Sequence, residues 1–183
     1  HDAMRAEPRR ADSLGEGNIS WHIAGDYEYT KTFTVPEDYA NKAVVLEFEG
    51  VYHKAEVYIN GEKAAFRPYG YTNFYVEANR YLRYGQENEI RVIAHNAEQP
   101  NSRWYSGTGI YRPVWLYVLD EKHIELNGVK IRTLSYDPAV IEVRVAISAP
   151  QGTVNVDILD GQNTVAQTSG ESSDSWVRFE LPV

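Results

Sequence analysis

Alternation of apolar and polar residues runs through the chain and predicts short β-strands. The apolar side chains of residues 27–35 are Tyr27, Tyr29, Phe33 and Val35. They share one face, with Glu and Thr on the other, which is the pattern of a half-buried strand. The alternation recurs at residues 44–48, 55–59, 90–94 and 114–118, and no segment carries a helical stripe. The pattern therefore predicts an all-β sandwich.

Turn signals divide these strands. Asn60-Gly61 directly follows the strand at 55–59 and is the preferred pair for a type I′ hairpin, in which both central residues need positive φ. Pro36 ends the first strand, and residues 68–74 form a loop rich in Tyr and Gly. Residues 79–84 are predicted to form one short helical turn that Gly85 ends. Residues 1–24 are polar and irregular, and we expect a loop or an arm lying on the sandwich.

A change of composition near residues 120–122 predicts two domains, residues 1–120 and 121–183. Beyond this point aromatic residues are sparse and β-branched residues are common. We predict strands at 140–147, 153–159 and 176–181, and a tight turn at Asp160-Gly161.

One segment, residues 101–116, contains four large aromatic residues, two arginines and two glycines. Aromatic rings have flat apolar faces with polar edges, and an arginine presents a planar set of donors. Such a loop suits a polyhydroxylated ring, and the candidate binding residues are Asn101, Ser102, Arg103, Trp104 and Tyr105. The alternative is that the aromatics close one end of the sandwich and that Arg112 is a buried ion-pair partner.

Residues 102–112, SRWYSGTGIYR, closely resemble the signature that ends the N-terminal sugar-binding domain of glycoside hydrolase family 2, the β-galactosidase group. Three more segments match that domain in the same order: residues 48–51 with 57–61, residues 69–74 and residues 84–90. His1-Asp2 resembles the segment near its start, with Ala3 where Trp is usual. The resemblance covers residues 1 to about 120.

The resemblance implies a jelly roll followed by part of an immunoglobulin-like domain. Such a domain needs roughly 100 residues, and only residues 122–183 remain, so we expect a truncated second sandwich with an exposed sheet edge. It also implies that Asn101, Ser102, Arg103 and Trp104 approach the sugar pocket of the intact enzyme, and that Gly107, Gly109, Tyr111 and Arg112 are structural parts of the signature. The family includes β-galactosidases, β-glucuronidases and β-mannosidases; the signature favours the first.

Catalytic residues are not predicted in this chain. Glycoside hydrolysis uses two carboxyl groups that flank the scissile bond, and in this family they lie in a (β/α)₈ barrel of about 250 residues. The chain has 183 residues. Asn88-Glu89 imitates the family's Asn-Glu pair, but it lies in a turn that enters a strand. We therefore expect a non-catalytic part of a retaining glycosidase.

Composition excludes several other classes of function. The net charge is −8 and no basic stripe occurs, so we expect no nucleic-acid partner. No apolar run is long enough for a membrane span. The five histidines lack metal-ligand spacing; we predict no cofactor, while a metal ion in the parent enzyme's barrel stays open. A structural hydrogen bond is the favoured role of His53.

Two hypotheses of function follow. The first is a non-catalytic part of a family 2 glycosidase, whose partners are the catalytic barrel and, through it, a β-galactoside. The second is a separate lectin-like module that binds carbohydrate without hydrolysis. A third, weaker hypothesis is a protein-interaction domain. Homo-oligomerisation and the cellular compartment stay open. The start without Met suggests a cut chain.

Overall fold

The computed structural model describes residues 9–104 and 106–183, which form β-strands and short 3₁₀ turns without an α-helix. The predicted all-β fold of sandwich type is confirmed. The resemblance of His1-Asp2 to the family's start lies outside the described residues, as does the candidate residue Tyr105.

Fourteen strands follow one another along the described chain. They are β1 (Asp26–Val35), β2 (Ala43–Phe48), β3 (Val51–Tyr52), β4 (Ala55–Ile59), β5 (Glu62–Arg67), β6 (Phe74–Glu77), β7 (Gln86–His95), β8 (Gly109–Ile110), β9 (Val114–Leu119), β10 (Ile124–Tyr136), β11 (Ala139–Ile147), β12 (Thr153–Asp160), β13 (Asn163–Glu171) and β14 (Trp176–Pro182). The 3₁₀ turns are Glu16–Ile19, Glu37–Asn41 and Asn79–Tyr81.

The chain divides into two compact units, His1–Val118 and Leu119–Val183. The first unit contains a sheet of order β1-β7-β4-β5, a sheet of order β6-β2-β9 and the short pair β3-β8. The second contains a sheet of order β10-β11-β14 and the pair β12-β13. The division into domains at residues 120 and 121 stays a prediction.

The core of the first unit lies between the inner faces of its two larger sheets. Alternate residues of β2 and β4, among them Val44, Val57 and Ile59, are fully buried. The rings of Phe48 and Phe74 stack with centroids 4.8 Å apart. Burying each such side chain contributes about 1.5–3 kcal/mol, so the predicted alternation marks the residues that hold the sheets together.

The predicted hairpin at Asn60-Gly61 is confirmed. Both residues have positive φ, 51° and 84°, and Ile59 pairs with Glu62 across the turn. The turn residue also bonds to the neighbouring strand: Asn60 Oδ1 accepts the backbone N–H of Glu89 at 3.0 Å. The hairpin is therefore joined to β7 as well as closed on itself.

Five strands are present where none was predicted: the two-residue strands β3 and β8, and the longer strands β6, β10 and β13. Strand β6 begins at Phe74, the last residue of the predicted loop, and strands β10 and β13 complete ladders with β11 and β12. Most residues of β10 and β13 are exposed, so neither strand has the buried alternate face that makes a strand visible in a sequence. The helical turn predicted at 79–84 is a single 3₁₀ turn, Asn79–Tyr81, and Gly85 after it has φ of 67°.

Asn88 is a buried structural residue. Its Oδ1 accepts hydrogen bonds from Asn60 Nδ2 and from the backbone N–H of Arg83, both at 2.8 Å. Its Nδ2 donates to the carbonyls of Arg83 at 2.9 Å and Gln86 at 3.0 Å. Glu89 beside it is exposed on β7. The Asn-Glu pair thus closes the turn into β7, as expected of a structural pair.

We predict that Asn88→Ala lowers the free energy of unfolding by about 2–4 kcal/mol, because the buried groups that Asn88 satisfies lose their partners. The measurement is urea unfolding followed by tryptophan fluorescence. Glu89→Ala, at the adjacent exposed position, is the control, and we expect its effect to stay within about 0.5 kcal/mol. Equal effects of the two substitutions would contradict this role of Asn88.

Candidate functional site

The side chain of Asn101 anchors the candidate binding loop. Its Nδ2 donates to Asn96 Oδ1 at 2.7 Å and to the carbonyl of Glu98 at 2.9 Å, and lies 3.2 Å from His53 Nε2. Its Oδ1 accepts a hydrogen bond from the hydroxyl of Tyr52 at 3.2 Å. Strand β3 supplies Tyr52, and the loop after β7 supplies Asn96 and Glu98. Asn101 therefore fixes the start of the loop to two separate parts of the first unit.

Asn96 joins the two ends of this loop from inside the protein. It is fully buried, and its Nδ2 donates to the buried Thr108 Oγ1 at 2.7 Å. Its Oδ1 accepts Gln99 Nε2 at 2.9 Å in addition to Asn101. Because a buried amide without partners is costly, these bonds favour one arrangement of the loop.

Asp26 holds the backbone at Asn96 in turn. Its Oδ1 accepts the backbone N–H groups of Asn96 at 3.0 Å and Ala97 at 3.1 Å, and its Oδ2 lies 2.8 Å from His95 Nδ1. The hydrogen bond from His95, helped by those backbone donors, lowers the pKa of Asp26 against the effect of burial. The carboxylate is therefore ionised at neutral pH, where it is the better acceptor.

The N-terminal segment lies against the same loop, as the predicted arm would. Asn18 Nδ2 donates to the carbonyl of Ser102 at 2.7 Å, and the carbonyl of Asn18 accepts the backbone N–H of Ser106 at 2.9 Å. Ile19 beside it is buried. This contact holds the loop on both sides of its tip.

The tip itself is exposed. Ser102 Oγ accepts the backbone N–H of Trp104 at 3.0 Å, which forms a tight local turn. Arg103 is exposed, and 72% of Trp104 is accessible to solvent. The structure thus brings Asn101 into the polar network and displays Arg103 and Trp104 at the surface.

A group of tyrosines near Tyr52 was not predicted as part of the site. The rings of Tyr52 and Tyr71 meet edge to face at 5.2 Å, and Tyr69 meets Tyr71 at 5.7 Å. Tyr69 and Tyr71 are both exposed. Segment 69–74 was one of the matching segments, but the contact with Tyr52 arises only in the fold.

His53 makes the structural hydrogen bond that was favoured for it, with Asn101. Burial, with the nearby positive charge of Lys54, lowers the pKa of His53 below its ordinary value. The neutral ring can accept the Asn101 N–H at Nε2, which places its own proton on Nδ1. His53 thus acts as an acceptor that helps to position the loop.

Only one of the two signature glycines has a backbone conformation that other residues rarely adopt. Gly109 has φ of 71° and pairs with Tyr52 in the β3-β8 ladder. Gly107 has no such angle, and a Cβ there would meet the Tyr111 side chain at an ordinary 3.5 Å. Of the two glycines, Gly109 is therefore the one that uses the backbone freedom of glycine.

Tyr111 has a structural role, while Arg112 is not a buried ion-pair partner. The Tyr111 hydroxyl donates to the carbonyl of Gly70 at 2.7 Å, and a Cβ at Gly50 would come within 2.5 Å of its ring. Arg112 is exposed, with its guanidinium 5.7 Å from the centroid of the Tyr111 ring. The alternative that placed Arg112 in a buried ion pair is wrong.

The model of the family described as glycosyl hydrolase 2 galactose-binding domain-like matches residues 8–140 of the chain. The chain belongs to this family. The predicted resemblance to family 2 glycoside hydrolases is confirmed.

Similar proteins are much longer than this family 2 chain. A protein named beta-galactosidase BoGH2A from Bacteroides ovatus is 44% identical over 121 residues, which cover 66% of the chain and 13% of that protein. A beta-glucuronidase from Formosa agariphila is 35% identical over 124 residues, or 61% of the chain and 12% of that protein. A solved structure of a glycosyl hydrolase family 2 member from Bacteroides cellulosilyticus superposes with a TM-score of 0.82 at 29% identity, covering 97% of the chain and 24% of its own.

Carboxylates near the loop of this family 2 chain are engaged in structural contacts. Asp26 accepts three hydrogen bonds, and Glu98 forms an ion pair with Lys54 at 3.0 Å. The Lys54 ammonium lowers the pKa of Glu98. A general acid at neutral pH needs a raised pKa, so neither carboxylate is suited to protonate a leaving group.

Neither a metal-binding cluster nor a membrane-spanning helix is found in the described part of the chain. No three His, Asp or Glu residues are grouped there so that they could hold a metal ion. No helix among residues 9–104 and 106–183 has the length and apolar character to cross a membrane.

We predict that Asp26→Asn destabilises the protein by about 1 kcal/mol at pH 7, since the ionised acceptor is lost. The folded-state pKa of Asp26 is lowered, so the carboxylate stabilises the fold above the unfolded carboxyl pKa of about 4. This contribution is lost as the pH falls through the folded pKa. The difference in unfolding midpoint between wild type and variant should therefore narrow from pH 7 to pH 3.

Urea unfolding at several pH values measures this difference, with Asp38→Asn, an exposed position in the same unit, as the control. A difference that is constant with pH would show that the Asp26 charge does not support the loop.

Proposed function

We propose that the chain is the non-catalytic N-terminal part of a family 2 glycoside hydrolase. In this proposal residues 1–120 form the jelly-roll domain, and residues 121–183 begin an immunoglobulin-like domain. The part described here supports a catalytic (β/α)₈ barrel and contributes the tip of the 101–104 loop to its carbohydrate pocket. The two catalytic carboxyl groups belong to the barrel.

One observation carries the proposal: a loop that is hydrogen-bonded at its base displays an exposed arginine and an exposed tryptophan. Asn101 is fixed by its bonds to Asn96, Glu98 and Tyr52, while Arg103 and Trp104 lie at the surface. A binding group held in place before the ligand arrives loses little conformational entropy on binding. An indole face and a guanidinium complement the C–H face and hydroxyls of a sugar.

Terminal β-galactosides are the proposed substrates of the whole enzyme. The relative at 44% identity is named a beta-galactosidase, and this supports the choice. The relative at 35% identity is named a beta-glucuronidase, so β-glucuronides are the competing substrates to be tested.

We expect the 183-residue chain to release no nitrophenol from nitrophenyl β-galactoside or nitrophenyl β-glucuronide. A chimera tests the loop, with this chain replacing the matching segment of the Bacteroides ovatus beta-galactosidase. Trp104→Ala in the chimera should lower kcat/KM for the galactoside about tenfold, as expected for loss of about 1.4 kcal/mol of transition-state binding.

Trp115→Ala is the matched control, because Trp115 is also exposed but lies on strand β9. We expect it to change kcat/KM less than about twofold. Turnover by the 183-residue chain alone, or equal effects of Trp104→Ala and Trp115→Ala, would overturn the proposal.

A lectin-like module is the second candidate function. The exposure of Tyr69, Tyr71 and Trp104 favours it, since exposed aromatic rings can bind sugars without any catalytic group. Titration calorimetry of the 183-residue chain with lactose and with galactan tests it. Saturable binding lost in Trp104→Ala would support a binding module, whereas no heat at millimolar sugar would rule it out in favour of the first proposal.

A further inference from the structure

The outer face of the β10-β11-β14 sheet concentrates positive charge in an otherwise acidic part of the chain. Residues 119–183 contain ten Asp or Glu and five Lys or Arg. The five cations are Lys122, Lys130, Arg132, Arg144 and Arg178. The last four lie on this one face by strand register, together with Glu142 and Glu180. We call this face the basic face.

Three of these cations are direct neighbours. Lys130 of β10 pairs with Arg144 of β11, which pairs with Arg178 of β14. Like charges directly opposite one another on adjacent strands are destabilising. A row of three cations across three strands is therefore a local conflict that an anionic ligand would relieve.

The next row supplies only part of the compensating charge. Glu142 is buried, and its Oε1 lies 2.7 Å from Arg132 Nε and 3.5 Å from Arg144 Nε. Arg178 bonds both Glu142 and Glu180. Hydrogen bonds from Arg178 and Arg132 lower the pKa of Glu142, so it is ionised at neutral pH. Two carboxylates are shared among three arginines, so that with Lys130 these six residues keep a net charge of +2.

An exposed tryptophan lies beside the row of three cations, two residues before Arg178 on β14. Trp176 is 47% exposed, and Lys130 Nζ lies 5.0 Å from its ring centroid. A surface depression of about 330 Å³ is lined by Lys130, Arg144, Trp176, Val177 and Arg178. A second depression of about 370 Å³ shares Lys130 and Trp176 with it. The two depressions therefore share a cation and an indole, and Glu125 is the one acid that lines the second.

We propose that the basic face binds an anionic polysaccharide, with sulfate or carboxylate groups at Lys130 and Arg144 and a sugar ring against Trp176. Charged donors bind such oxyanions strongly, and an indole packs on the C–H face of a sugar. A nucleic acid fits less well, because its dense phosphates would also meet the surrounding acids of a chain whose net charge is −8.

Binding of dextran sulfate, polygalacturonate and uncharged dextran to the 183-residue chain tests the proposal. We expect saturable binding to at least one of the two anionic polymers and none to dextran; the stronger of the two identifies sulfate or carboxylate as the preferred group. The double substitution Lys130→Gln with Arg144→Gln should weaken this binding by about tenfold or more, because two charged contacts are lost. Trp176→Val, which keeps a residue suited to a strand, should weaken it about threefold or more.

Lys122→Gln is the matched control, because it removes the one cation of residues 119–183 that lies off the basic face. Its affinity should match that of wild type, and urea unfolding of each variant checks that the fold is kept. The proposal is overturned by absence of binding to both anionic polymers, or by equal affinities of the double variant and Lys122→Gln. It is also overturned if Trp176→Val binds as wild type, or if a single-stranded oligonucleotide binds as tightly as the polysaccharide.

Discussion

The placement of the candidate binding loop depends on one buried side-chain amide, that of Asn96. An amide removed from water is costly unless its nitrogen and its oxygen each have a hydrogen-bond partner. Asn96 meets this condition through Gln99 and Asn101 on one side of the loop and Thr108 on the other. The tip can therefore be exposed at Trp104 while its base is fixed.

Much of the sandwich could be predicted because its strands bury every second residue. Strand β4 can be predicted from the alternation of its apolar and polar residues. The Asn60-Gly61 turn can be predicted from the positive φ angles that this pair adopts. Strands β10 and β13 are mostly exposed and have no such pattern. They form because they make backbone hydrogen bonds with a neighbouring strand. Such pairing cannot be predicted from the residues of one strand alone.

Some residues of the candidate site could likewise be predicted from a local motif, whereas others could be identified only from long-range contacts. Asn101, Arg103 and Trp104 could be selected because the motif around them is unusual in composition. Asn96 and Asp26 could not, since an isolated Asn or Asp is typical of a turn, and Asp26 meets the backbone of Asn96 from 70 residues away. Motifs thus identify the residues that are displayed, while the residues that hold them in place become visible only in the fold.

Polar residues have different roles in the two units. Around Asn96 every bond satisfies another group, so the network is a source of order. On the basic face the sequence places Lys130, Arg144 and Arg178 side by side and provides too few acids to balance them. Where residues serve stability alone, their local preferences agree with the overall fold. Where they serve binding, unfavourable contacts between neighbours are expected. Trp176 is exposed beside this row, and an exposed indole adds nothing to solubility, so its position is more readily explained by binding.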